Sequence, residues 1–158
     1  EGEHAGRLER IKAWLRKQEA DVVALQECNG WDKLPNIAVE CGFDHFEILE
    51  CKTGYHLIIM STAPLTNVKR RAEDPFHHGL LEAEARGIRF LVTHLSPKSA
   101  KIRLQEAKAI QTRCQELQAE GVPSIVLGDL NTLSPLDADA HRRDGLVEAL
   151  ATDETGRR

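Results

Sequence analysis

The sequence predicts a layered α/β domain of mixed type, and three observations carry that prediction. Amphipathic segments with apolar residues three and four apart alternate with short β-branched runs too brief to be helices. Two pairs of such runs are joined by Gly-containing connections of two or three residues, so the sheet is expected to be partly antiparallel. No Pro-, Gly- or Ser-rich stretch, charge run or internal repeat divides the 158 residues. A chain of this length buries roughly 70% of its unfolded surface as one unit, and residues 1–158 are read as a single domain.

In chain order, Leu8, Ile11 and Leu15 lie among Arg7, Arg10, Lys12, Arg16 and Lys17, which predicts a helix over residues 6–19 with a wet basic face. Val22 to Leu25 reads as a buried strand that ends at Glu27. A helix is expected from Lys33 to Cys41, entered after Asp32 and stopped by Gly42. Phe46–Cys51 and Tyr55–Ser61 flank Lys52-Thr53-Gly54 as one hairpin; Leu80–Ala85 and Ile88–His94 flank Arg86-Gly87 as another. Between them, Lys69-Arg70-Arg71 reads as a solvated loop whose charge could attract a phosphate backbone, and His77 and His78 read as surface loop. Ser96 as cap and Pro97 at the first helical position open a long helix faced by Ile102, Ala107, Ile110, Cys114 and Leu117, ending at Gly121. Pro123 leads into a second buried strand, Ser124–Gly128, and the remainder is turn-rich apart from an apolar stretch at Leu146–Leu150.

Composition narrows the function classes. Lys and Arg number 21 against 25 Asp and Glu, a net charge of −4 with a pI near 6.0, so the molecule has no overall basic footprint for a polyanion. A phosphate-bearing substrate must be met locally. Aromatic residues make up 4% of the chain, too few for a base-stacking platform. The four cysteines, Cys28, Cys41, Cys51 and Cys114, show no C-x-x-C or zinc spacing and read as reduced thiols of an intracellular protein, in cytoplasm, nucleus or an organelle interior. The longest apolar run, Leu57–Met60, is far short of a transmembrane segment.

Three apolar strands end on residues of catalytic type: Glu27, His94, and Asp129 with Asn131. Strand ends deliver side chains to the rim of a sheet, and converging rims would make a polar pocket on a rigid floor. Glu27 is a hard carboxylate suited to Mg²⁺, Asp129 can orient or deprotonate a water, Asn131 can donate to a phosphate oxygen, and His94 can stabilise charge developing on phosphorus. Each has an ordinary reading as well: Glu27 as an exposed strand terminus, Asp129 and Asn131 as a self-capped turn, His94 as a satisfied strand-end histidine. Their joint occurrence at the ends of core strands raises the functional reading.

Four blocks sharpen it: Ala20-Asp21-Val22-Val23-Ala24-Leu25-Gln26-Glu27, Gly54-Tyr55-His56-Leu57-Ile58-Ile59-Met60-Ser61, Val92-Thr93-His94-Leu95 and Gly128-Asp129-Leu130-Asn131. In order and spacing these resemble the endonuclease/exonuclease/phosphatase superfamily, with its DNase I-like fold, and Asp144–Leu150 is similar to the Gly-Leu-x-(Asp/Glu) segment that follows there. The resemblance implies a two-layer mixed β-sandwich flanked by helices. It also implies hydrolysis of phosphodiesters or phosphomonoesters with Mg²⁺ or Mn²⁺, by water attack at a metal-bound phosphate. Carried over residue by residue, Glu27 is the metal ligand, Asp129 the water-positioning group, Asn131 the phosphate holder and His94 a phosphate contact, with His56 as a substrate-side residue. The implied partners are phosphate esters: a nucleic acid, a phospholipid or an inositol phosphate.

The sequence also departs from the family pattern. Family members open with a strand carrying an Asn and close with a strand carrying an Asp and then Ser-Asp-His, whereas this chain starts in the following helix and has no such segment after Asn131. His141, within Ala138–Arg143, lacks that context and reads as a solvated loop residue. The chain is thus expected to hold the central portion of the domain, its sheets completed by flanking sequence or a partner chain. The reading from a different class is a catalytically inactive copy that serves as a structural or protein-interaction module.

Overall fold

The computed structural model describes residues 2–29 and 34–145. Within them the order is α1 (Gly2–Lys17), β1 (Val22–Leu25), α2 (Leu34–Glu40), β2 (His45–Leu49), β3 (Leu57–Ser61), β4 (Thr66–Arg71), β5 (Leu80–Ala85), β6 (Ile88–His94), α3 (Ala100–Ala119), β7 (Ser124–Asp129), a 3-10 turn (Pro135–Asp137) and α4 (Ala138–Arg143). Sheet one runs β1-β3-β2 and sheet two β4-β5-β6-β7. All pairings are antiparallel except β6 with β7, which is parallel because α3 carries the chain back between them. The expected α/β fold with two sheets and outer helices is the one observed.

Side chains alternate across each strand and so fill three layers. Leu57 and Ile59 of β3 meet Leu81, Ala83, Phe90 and Val92 of sheet two in the core between the sheets. Their neighbours Ile58 and Met60 point the other way, onto Leu15 of α1 and Ala38 of α2. On the far side, Leu80 and Leu91 pack against Ile110 and Leu117 of α3. At roughly 25 cal/mol per Å² of apolar area removed from water, these three layers supply the main driving force for the fold.

Several expectations are corrected. Lys69-Arg70-Arg71 lies in β4, not in a loop; only Val68 of that strand reaches the core, so its period-2 signal is too faint to read. Arg70 crosses to β2, where it pairs with Glu47 and donates from Nε to the Ile48 carbonyl at 2.7 Å. On α1, Leu15 is buried but Ile11 is 42% exposed, while Lys12 is buried and ion-paired to Glu9 and Glu40. α3 begins at Ala100 with Ser99 as cap, its hydroxyl accepting from the Ile102 amide at 3.2 Å, while the Ser96 hydroxyl accepts the Lys98 amide at 3.2 Å ahead of the helix. Its buried stripe is Glu106, Ile110, Arg113 and Leu117, and Ala107 is exposed. β7 is an edge strand with Ile125 42% and Val126 39% exposed, not the fully buried strand expected from its composition. His141 sits on α4, not in a loop. Leu146–Leu150 lies outside the described residues, as does Lys33, the expected first residue of the second helix. Among the described residues no helix is long and apolar enough to cross a membrane.

Polar residues on the buried stripe of α3 answer charges on sheet two. Glu82 of β5 is fully buried; it accepts from Nε of Arg113 at 3.0 and 3.2 Å and lies 3.5 Å from Arg89 and 3.4 Å from Arg71. Removing the carboxylate would take one counter-charge from each of two buried guanidiniums, leaving Arg89 with Glu84 and Arg113 with Glu116. Glu82→Ala is therefore expected to cost about 3 kcal/mol, read as a fall in the urea midpoint. An unchanged midpoint would show that the cluster is not what seats α3.

Candidate functional site at the sheet rim

Strand pairing decides which ends meet. In the parallel register of β6 and β7, Thr93 opposes Gly128 and His94 opposes Asp129. Gly128 has φ +145°, and a Cβ built there would lie 1.8 Å from the Thr93 carbonyl oxygen, so only glycine permits this approach. Just past the strands the chains remain stitched: the Leu95 amide donates to the Asp129 carbonyl at 2.9 Å, and Asn131 Nδ2 donates to the Leu95 carbonyl at 2.7 Å. The Asn131 amide donates to Asp129 Oδ1 at 2.8 Å. This is the self-capped turn of the ordinary reading, and it fixes the Asp129 carboxylate by one oxygen while the side chain stays 55% exposed.

His94 is 3% exposed. Its Nε2 lies 4.0 Å from Asp129 Oδ2, beyond hydrogen-bond reach, and its Nδ1 has no partner among the described residues. The ring is instead stacked on His78, with centroids 4.1 Å apart and planes within 9°. His78 is equally buried, which corrects its reading as surface loop. Its Nδ1 is 2.7 Å from Thr53 Oγ1, and His77 and Tyr55 present ring edges to it at 4.5 and 5.6 Å. Burial, and then the neighbouring His94, His77 and Lys98, push the His78 imidazole down to about 4, against the opposing pull of Asp129. His77 is lowered too, chiefly by burial.

Glu27 reaches the same end from sheet one. β1 runs antiparallel to β3 with Leu25 opposite Ile58, so its C-terminal end lies beside the start of β3. There the Cys28 amide donates to the His56 carbonyl at 3.2 Å. Glu27 is exposed and adopts φ +56°, turning the chain off the strand. His56 is half-buried, and its Nδ1 accepts the Cys51 amide at 3.0 Å. The 51–56 connection thus carries His56 beside Cys28, the residue after Glu27, and Thr53 beside His78.

The sequence reading gives Thr53 and Tyr55 no role and sets His78 aside as surface loop. The His77-His78-Gly79 stretch before a strand was the available signal, but nothing in spacing alone shows that one imidazole turns inward. An open cavity of about 730 Å³ adjoins the cluster and is lined by Lys52, Thr53, Phe76, His77 and Ile102, among others. All four cysteines are free thiols, and burial pushes Cys28 and Cys51 up to about 11, which favours the protonated thiol over the nucleophilic thiolate near neutral pH. Among the described residues no group of three or more His, Cys, Asp or Glu is arranged to hold a metal ion. Glu27 offers one exposed, hard carboxylate, a donor compatible with Mg²⁺, which uses one or two protein carboxylates and fills its other positions with waters and substrate phosphates.

Two stacked sheets with outer helices, with His78, His94 and Asp129 at the ends of sheet two, define an α/β protein with a polar sheet rim. The chain belongs to the Endonuclease/Exonuclease/phosphatase family, whose sequence profile matches residues 3–155. No curated protein matches the chain significantly by sequence. Among solved structures, truncated TDP2 of Caenorhabditis elegans superposes with a TM-score of 0.61 at 20% identity, over 80% of this chain and 56% of that one. An AP endonuclease from Archaeoglobus fulgidus gives 0.62 at 18% identity, covering 86% and 58%. The 3' phosphatase NExo from Neisseria, bound to product DNA hairpin, gives 0.64 at 23%, covering 84% and 55%. The chain spans somewhat over half the length of each.

Two expectations follow from this geometry. Gly128→Ala should force β7 away from β6 and cost about 3 kcal/mol or more; hydrogen exchange of the Arg89–His94 amides should speed up, and unchanged exchange would contradict the close approach. Separately, the His78 pKa lies below its unfolded value of about 6.5, so between about 4 and 6.5 the unfolded chain binds the extra proton. Stability from this group is complete above pH 6.5 and is lost as pH falls toward 4. His78→Gln should flatten that part of the pH–stability curve, measured by urea unfolding at pH 7 and pH 4.5.

Proposed function

We propose that the protein is a divalent-metal-dependent phosphoesterase that hydrolyses phosphodiester or phosphomonoester bonds by attack of water on phosphorus. The observation that carries this reading is the meeting of His94 and Asp129 on adjacent strand ends, within a chain of this family. Asp129, held by one oxygen, keeps the other toward His94 and solvent and serves to orient or deprotonate the attacking water. His94 stabilises the charge that develops on the phosphoryl oxygens. Asn131 retains a second Nδ2 hydrogen beyond the one given to Leu95 and can donate it to a phosphate oxygen. His56, whose Nδ1 accepts the Cys51 amide, would stand on the substrate side. Glu27 would hold Mg²⁺ or Mn²⁺, which when bound supplies charge neutralisation at the phosphate.

A nucleic acid is the first substrate to test, supported by the DNA product bound to the Neisseria neighbour; inositol phosphates and phospholipids form the second arm. We also infer that residues 1–158 are the central portion of a larger domain. The open, apolar edge of β7 supports this, as the place where flanking sequence or a partner chain would complete the sheet. An intracellular setting is supported by the four free thiols.

The test is a panel of phosphodiesters and phosphomonoesters with Mg²⁺ or Mn²⁺, run on the full-length protein, residues 1–158 and two variants. Full-length protein should turn over at least one substrate. Asp129→Asn should lower kcat by about 10²–10⁴-fold with the fold intact, and Glu27→Gln should mainly raise the metal concentration needed. Residues 1–158 alone should be inactive. An inert full-length protein would favour the structural or interaction module, and robust turnover by residues 1–158 would displace the catalytic centre.

A further inference from the structure

Neither nitrogen of His94 makes a hydrogen bond among the described residues, so its orientation must come from the His78 stack and from the backbone on either side. That backbone leaves the sheet at this point. Leu80 and Thr93 are the last residues paired between β5 and β6, and one further link, Thr93 Oγ1 to the Gly79 carbonyl at 3.1 Å, closes that ladder. Beyond it, two main-chain amides turn toward α3. The His77 amide donates to Glu106 Oε1 and the Ser96 amide to Glu106 Oε2, each at 2.8 Å. Glu106 is fully buried, and one turn earlier Arg103 donates to the Ser96 carbonyl at 3.0 Å. A carboxylate suits two converging N–H groups because it has two acceptor oxygens and no hydrogen, and buried amides left unpaired are costly.

We propose that Glu106 is a positioning residue of the site: by holding the residue before His78 and the second residue after His94, it sets the spacing of the two chain ends and keeps the imidazoles in their parallel stack. This rests on the reading of His94 as part of the phosphoesterase centre, but it can be tested without turnover. Glutamine at 106 would keep one acceptor and press an NH₂ against the other amide, so one chain end would move and the stack would open. His78 reports the change. It is faced by His94 from β6, Asp129 from β7, Lys98 from the β6–α3 connection, His77 from its own segment, and Thr53 and Tyr55 from the β2–β3 connection.

The experiment is imidazole and amide NMR of the full-length chain as wild type, Glu106→Gln and Glu106→Asp. In wild type, the His77 and Ser96 amides should exchange as slowly as those of the β5–β6 ladder. In Glu106→Gln, one of them should exchange at least about tenfold faster, and His78 should titrate at least about one unit higher, while His45 on β2 stays unchanged. Glu106→Asp, which keeps both acceptors, should restore part of the wild-type pattern. Unchanged His78 and His94 resonances in Glu106→Gln would overturn the proposal, as would a shift shared with His45, which marks general loosening. If Glu106→Gln does not fold, the wild-type amides decide: exchange as fast as in exposed loops would also overturn it. Turnover enters none of these outcomes, so an inert enzyme bears on the phosphoesterase reading alone.

Discussion

The approach of Gly128 to the Thr93 carbonyl is the contact on which the rim depends. A side chain at 128 would occupy the space of that oxygen, so the absence of one lets β7 lie parallel to β6 in the register that sets Asp129 beside His94. The two links beyond it, from Leu95 to Asp129 and from Asn131 to Leu95, only extend a pairing that the glycine makes possible. Asp129 and Asn131 can therefore be a turn and a site at once: the hydrogen bonds that cap the turn fix the carboxylate oxygen nearest the backbone and leave the other outward.

Sheet two buys its precision with buried charge. Its outward face meets α3 through apolar contacts at Ile110 and Leu117, but Arg113 lies between them, answering Glu82 and Glu116, and Glu106 lies one turn before Ile110, answering two backbone amides. A purely apolar stripe would seat the helix equally well, since buried ion pairs add little over well-packed hydrophobic residues. What the polar groups add is register: each has a direction, and together they fix α3 and the loops at its N-terminal end relative to β5 and β6. The stacked imidazoles stand where that register is tightest. Burial keeps His78 neutral over the physiological range, so it packs against His94 without charge repulsion.

Much of this fold is legible in the sequence, and the reason is periodicity. β3, β5 and β6 alternate cleanly or run apolar throughout, and Arg86-Gly87 marks their hairpin, so these elements are placed to within a residue or two. β4 is not legible because just one of its residues reaches the core, and the buried face of α3 is misread because two of its members are charged. β7 has the composition of a buried strand, yet it lies at an open edge. The site divides the same way. Glu27, His94, Asp129 and Asn131 stand out because each ends an apolar strand, and the β6–β7 register sets His94 beside Asp129. His78 and Glu106 act through contacts between segments 10 to 29 residues apart, a relation that no local pattern encodes.

The central claim is that strand ends from both sheets form one site able to receive a metal-bound phosphate. Titrating the full-length chain with Mn²⁺ and following paramagnetic broadening of its amide resonances tests this most directly, because the effect falls off steeply with distance from the ion. The account predicts that broadening appears first at residues 27–29 and spreads to 53–56, 94–96 and 129–131. Broadening confined to acidic surface such as Glu116 and Glu120, or to Asp139 and Asp144, with the rim untouched, would contradict it.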